Sequence, residues 1–181
     1  MTKMKYNISM YTGSYSVDDF VFFWGHTPAS NGKITKACFS QWWLCDFNDD
    51  GIDFCCAEQY MMYHKALAFS DEEYAKKILG SRDQKEIKGY GRKIRNFDEE
   101  AWNKVKSDIV IKGNMLKFSQ NPKLKEFLIS TGDKILVEAS PYDKIWGIGM
   151  EASAAGITDP GKWKGENLLG FALMEVRDML R

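Results

Sequence analysis

Glu58 and Lys65 are the side chains whose types and spacing best suit bond-breaking chemistry. They lie in Ala57-Glu58-Gln59-Tyr60-Met61-Met62-Tyr63-His64-Lys65-Ala66-Leu67, a stretch of good helix formers without Gly or Pro, with Ala57, Met61 and Leu67 as its apolar period. Seven residues make two helical turns less about 20°, so both groups point from one face. The rise over that interval is about 10.5 Å. Helical side chains lean towards the N-terminus, so Lys65 reaches back towards Glu58. Glu58 also sits near the helix start, where the dipole favours an anion and anionic ligands. A carboxylate and an amine that converge can protonate, deprotonate or attack a sugar carbon. The same spacing also describes a solvated surface ion pair, which is common and contributes little. His64 is on a different face from Lys65, and a non-catalytic role is expected for it and for His26.

The composition bounds what such a pair can serve. With 181 residues, 44% hydrophobic and 28% charged, the chain reads as one soluble globular domain with a substantial core. Six Trp within an aromatic share of 14% exceed what packing needs and suggest a stacking pocket or an interface. Basic and acidic side chains balance at 25 each. That argues against an extended basic groove for nucleic acid, though not against binding one nucleotide. Cys38, Cys45, Cys55 and Cys56 form no CxxC pair, so neither a zinc knuckle nor a disulfide framework is indicated. Asp46-Phe47-Asn48-Asp49-Asp50-Gly51 starts like a calcium loop but has Ala57 where a bidentate Glu is required. It reads better as a turn. No metal and no cofactor are expected. Nothing resembles a signal peptide or a membrane span, which predicts a cytoplasmic protein with reduced thiols.

The elements that must position the pair follow in order. Residues 1–18 read as an N-terminal extension or loose first strand, and 19–181 as the domain. Phe20-Val21-Phe22-Phe23-Trp24-Gly25 fits a buried strand, and residues 38–43 a second extended segment. Helices are predicted over 71–79, with Ser70 as cap and Glu73 as its reciprocal partner, and over 83–88. Gly89-Tyr90-Gly91-Arg92-Lys93 reads as a flexible basic turn in which Arg92 could clamp a phosphate. A long helix opens at Asp98-Glu99-Glu100, with Trp102, Val105, Ile109, Met115 and Leu116 as its core stripe. Pro122 begins another helix, 135–139 is a strand, and Asn167 caps a last helix over 168–180. Between these, Gly147 and Gly149 let backbone approach a ligand beside Trp146. The fold class is mainly α with a small β element, α+β, as one compact domain.

Four segments together resemble the NADAR family of YbiA-like proteins, named for a link to NAD and ADP-ribose. They are Phe22-Phe23-Trp24-Gly25; Ala57 to Met62 with Lys65-Ala66; Gly91-Arg92-Lys93 with Asn96-Phe97-Asp98 and Trp102; and Leu136 to Pro141 with Asp143 and Ile145-Trp146-Gly147-Ile148-Gly149. Asn167-Leu168-Leu169-Gly170 resembles the family's C-terminal signature. The resemblance implies a mainly helical N-glycosidase. Its substrate would be an ADP-ribosylated guanine base or nucleotide or, alternatively, a ribosylamino-pyrimidine phosphate of riboflavin synthesis. A module that binds ADP-ribose without turnover is the remaining alternative. By position, Glu58 would be the catalytic carboxylate and Lys65 the reacting amine, with Trp24, Gly25, Arg92, Trp102, Asp143, Trp146, Gly147 and Asn167 binding substrate. Ser40-Gln41-Trp42 departs from the Ser-Asn-Phe of bacterial members, and His26 replaces more variable residues. Both departures bear on substrate choice.

Overall fold

The computed structural model describes residues 4–181. In chain order its elements are β1 (Phe20–Phe23), β2 (Phe47–Asp49), β3 (Ile52–Phe54), α1 (Ala57–Ala68), α2 (Glu72–Leu79), α3 (Gln84–Gly91), α4 (Glu99–Gln120), α5 (Pro122–Ser130), β4 (Ile135–Glu138) and α6 (Leu168–Leu180), with a few 3-10 turns between them. The protein is thus mainly α with little β. Among the described residues no helix is long and apolar enough to cross a membrane. Among the described residues before β1 there are two 3-10 turns and no strand, and Tyr11 stacks on Phe171 at 5.6 Å.

Contacts divide the chain into two compact units. The first, Gln41–Asn121, holds the β2–β3 hairpin and α1 to α4. Asn48 shapes the hairpin turn, its Oδ1 accepting from the Gly51 N–H at 2.9 Å. Phe47, Phe54 and Tyr60 form the buried centre, with Phe54 edge-on to Tyr60 at 4.9 Å. The first half of α1 is buried on every side, from Ala57 to Met62, whereas Leu67 is exposed. Two glycines let other helices lie close against it. A Cβ on Gly113 of α4 would meet the Tyr60 ring at 2.6 Å, and one on Gly91 of α3 would meet Met62 Sδ at 2.0 Å.

Several sequence readings change here. α3 runs through Gly89 to Gly91, because Gly91 is a packing residue against α1 and not a turn residue. Asp71, not Ser70, caps α2, its carboxylate accepting from the Tyr74 N–H, while Ser70 takes a left-handed φ of 57°. Glu73 pairs instead with Lys77 at 2.7 Å. The buried stripe of α4 is Trp102, Lys106, Val110, Gly113, Asn114, Lys117 and Phe118; Val105 is exposed, and Ile109, Met115 and Leu116 are only half-buried. Residues 36–39 form a 3-10 turn, so 38–43 is not an extended segment.

The second unit comprises the described residues up to Ser40 and Pro122–Arg181. β1 and β4 pair in parallel, with Phe20 opposite Ile135 and Phe23 opposite Glu138. α6 packs on β4 and is apolar nearly all round, as a helix buried at the centre of a unit must be. Gly170 permits this approach: a Cβ there would lie 2.1 Å from the Leu136 carbonyl oxygen. Asn167 is the N-cap residue of α6, its carbonyl accepting from the Phe171 N–H at 3.1 Å, but its side chain makes no capping bond. Its φ is +56°, its Oδ1 accepts from the Glu138 N–H at 3.0 Å, and its Nδ2 donates to the Leu136 carbonyl at 2.9 Å.

Candidate active site

Glu58, Lys65, Arg92 and Trp102 belong to the first unit, and Trp24, Gly25, Asp143, Trp146, Gly147 and Asn167 to the second.

In the first unit, Glu58 is the second residue of α1 and only 4% exposed. Its N–H, one of those a helix leaves over at its start, donates to the Gln41 carbonyl at 2.8 Å. Gln41 is fixed in turn by Asn114 of α4. Gln41 Nε2 donates to Asn114 Oδ1 at 3.1 Å, and Asn114 Nδ2 donates back to Gln41 Oε1 at 3.4 Å and to the Val110 carbonyl at 2.8 Å. The start of α1 is therefore tied to α4 through a pair of buried amides.

Lys65, two turns further on, is half-buried. Its Nζ donates to the Gly91 carbonyl at 3.0 Å and lies 4.2 Å from the Phe97 ring centre and 5.8 Å from that of Trp102. Burial holds its pKa below the ordinary lysine value, while the Glu58 charge pulls the other way. Ring faces also favour the ammonium form, so the amine sits between opposing influences, of which desolvation is the largest. Glu58 and Lys65 are thus not a solvated surface pair. Trp102 is buried against this corner, whereas Arg92, just past the end of α3, is exposed.

In the second unit the residues after β4 form a tightly bonded loop. Asp143 Oδ1 accepts from the N–H groups of Ile145 and Trp146 at 2.9 and 2.8 Å, and its carbonyl accepts from Gly149 at 2.9 Å. A Cβ on Gly147 would meet the Glu138 carbonyl at 2.8 Å, and the Gly147 carbonyl accepts from the Asn167 N–H at 3.1 Å. Asn167, 0% exposed, ties this loop to β4 and α6. Trp146 is half-buried. Trp24 follows the last residue of β1, is 57% exposed, and is followed by Gly25 at φ +81°.

Four residues carry no role in the sequence reading. Phe97 forms the wall nearest Lys65, Gln41 and Asn114 hold the start of α1, and Tyr142 lies beside Trp24. Asn114 had a signal. With Lys106, Val110 and Phe118 it recurs every fourth residue, a helical period only half apolar.

Comparison with known proteins agrees with the motifs. A NADAR domain model matches residues 22–181. N-glycosidase R617 of Acanthamoeba polyphaga mimivirus is 47% identical over 166 residues, covering 89% of this chain and 96% of that protein. N-glycosidase Npun_R5314 of Nostoc punctiforme is 30% identical over 149 residues, covering 80% of this chain and 85% of the relative. The NMR structure of the E. coli protein YbiA aligns with a TM-score of 0.72 at 26% identity, over 92% of this chain and 88% of that one. This chain belongs to the NADAR family.

Proposed function

We propose that the protein is an N-glycosidase that hydrolyses the bond between a ribosyl group and a base, and that its substrate is ADP-ribosylated guanine. The observation that carries this reading is the setting of Lys65: an amine fixed by a backbone carbonyl, walled by aromatic rings, and held below its ordinary pKa although a buried carboxylate lies on the same helix. The names of its relatives support N-glycosidic chemistry in general.

Breaking such a bond develops oxocarbenium-like charge on the ribose and an electron pair on the departing base nitrogen. Glu58 stabilises the first and can take a proton from the attacking group. In the covalent route the neutral Lys65 Nζ bonds to C1′ as the C1′–base bond breaks. The base nitrogen takes a proton, the ring opens to a Schiff base, and water releases the sugar and regenerates the amine. Arg92 is assigned to phosphate, which its planar fork suits. Trp24 with Gly25, Trp102 and Trp146 are assigned to base and ribose. Asp143, Gly147 and Asn167 serve by holding the loop that carries Trp146.

The test is release of guanosine from ADP-ribosylated guanosine. Glu58→Gln is expected to cut kcat by at least ~10²-fold, the lower range for acid–base help. Faster turnover of ribosylamino-pyrimidine phosphates would move the reading to that substrate. Tight binding of ADP-ribose by a wild type without turnover would make the protein a binding module.

A further inference from the structure

Tyr142 is 86% exposed and its ring centre lies 6.1 Å from that of Trp24, the planes tilted by 56°. Single exposed hydrophobic residues need no explanation, but here two exposed aromatic rings stand side by side. Trp24 directly follows β1, and Tyr142 lies four residues beyond the end of β4. The Ala139 N–H donates to the Phe23 carbonyl at 2.9 Å and joins the two strand ends. Ser140 Oγ then accepts from the N–H groups of Tyr142 and Asp143 at 3.4 and 3.2 Å. The backbone is pinned while the rings face water, at the carboxyl ends of parallel strands, where α/β sheets gather ligands.

The surrounding charge narrows the ligand. The stems of Lys144 and Lys164 flank Gly149, where a Cβ would meet them at 3.0 and 3.2 Å, and both residues are exposed. The Gly149 N–H is in turn bonded to the Asp143 carbonyl, next to Tyr142. Exposed π-faces with exposed lysines on the same loops are what an unpaired nucleotide uses: rings stack on the base, and ammonium groups meet the phosphate.

We propose that Tyr142 and Trp24 form a stacking platform for the base of an unpaired nucleotide, with Lys144 and Lys164 serving its phosphate. This deepens the functional reading by assigning Tyr142, and it stands on binding alone, so it can be tested apart from turnover. The base can belong to a free nucleotide or to a single strand. Fluorescence anisotropy of a labelled 12-mer oligo(dG-dT), of its RNA counterpart and of labelled GMP separates the two.

Tyr142→Ala is expected to weaken binding about 5- to 100-fold, the loss of one base stack, with no change in melting temperature. Tyr142→Phe should retain most of the affinity, and Lys144→Glu with Lys164→Glu should weaken binding and flatten its salt dependence. Tyr142-dependent binding of the oligomers identifies a strand as ligand; Tyr142-dependent binding of GMP alone identifies a free nucleotide. Equal binding by wild type and Tyr142→Ala, or no binding of any probe, overturns the platform. If wild type fails to turn over ADP-ribosylated guanosine yet binds through Tyr142, the catalytic reading falls and the platform stands.

Discussion

The paired amides of Gln41 and Asn114 allow a test whose sign depends on the hydrogen-bond geometry. Both side chains are buried, Gln41 at 7% exposure and Asn114 at 0%, and they bond to each other in both directions. Replacing Asn114 by Leu leaves the Gln41 amide facing hydrocarbon, and Gln41→Met does the same to Asn114. An orphaned buried polar group costs ~1–3 kcal/mol, whereas replacing both partners by apolar groups of similar shape is close to neutral. Each single variant is therefore expected to lose ~1–3 kcal/mol in urea unfolding, and the double variant less than either single. At this chain length each kcal/mol lowers Tm by about 2–4 °C. Since the Gln41 carbonyl holds the Glu58 N–H, the single variants should also lower kcat more than they raise KM. Additive losses, with the double variant as unstable as the sum of the singles, would refute the idea that these amides satisfy each other and hold the start of α1.

Gly170→Ala reverses the usual helix preference. Alanine favours a helix by ~1 kcal/mol over glycine, yet its Cβ would strike the Leu136 carbonyl oxygen at 2.1 Å and the Asn167 amide at 2.6 Å, so urea unfolding should show a clear net loss and a gain would show that α6 can shift. His64 has its pKa lowered mainly by burial, with the Asp49 carboxylate at 4.0 Å raising it and Lys112 lowering it, while Tyr60 donates to the same carboxylate. Its folded form binds protons less readily than the unfolded chain, so stability falls as pH drops from the ordinary histidine pKa of about 6.5 through the lowered one, and His64→Phe should flatten that decline in denaturation midpoints against pH. For Lys65, kcat in the covalent route should rise with pH through a value below the ordinary lysine pKa; borohydride during turnover should trap a sugar adduct on Lys65, and a Lys65→Arg variant that keeps much of the activity with no adduct by mass spectrometry would leave Lys65 an electrostatic partner only.

Local chemistry explains which features were legible in the sequence. The predicted helix 57–67 ends within a residue of α1, because an unbroken run of helix formers needs no tertiary help to be recognised. β1 and α5 follow for similar reasons, an apolar run stopped by glycine and a proline at a helix start. What failed was meaning supplied by a partner distant in sequence. Gly91 reads locally as a flexible turn, yet the absence of its side chain lets Met62 lie against α3, where the Gly91 carbonyl receives Lys65. Asn167 holds the cap position that the sequence suggests, yet its side-chain amide spans two backbone groups of β4 instead of bonding the helix start. Asn114 and Lys117 break the apolar period of α4 because a buried face with polar partners need not be apolar. Motif spacing could locate Glu58 and Lys65, but not the quantity on which their chemistry depends. Whether an amine seven residues from a carboxylate stays charged is decided by its burial. Here that burial comes from Phe97, Trp102 and Gly91, residues that carry no proton chemistry of their own. Residue type alone marks Lys65 as a candidate amine, while its protonation state has to be read from its neighbours.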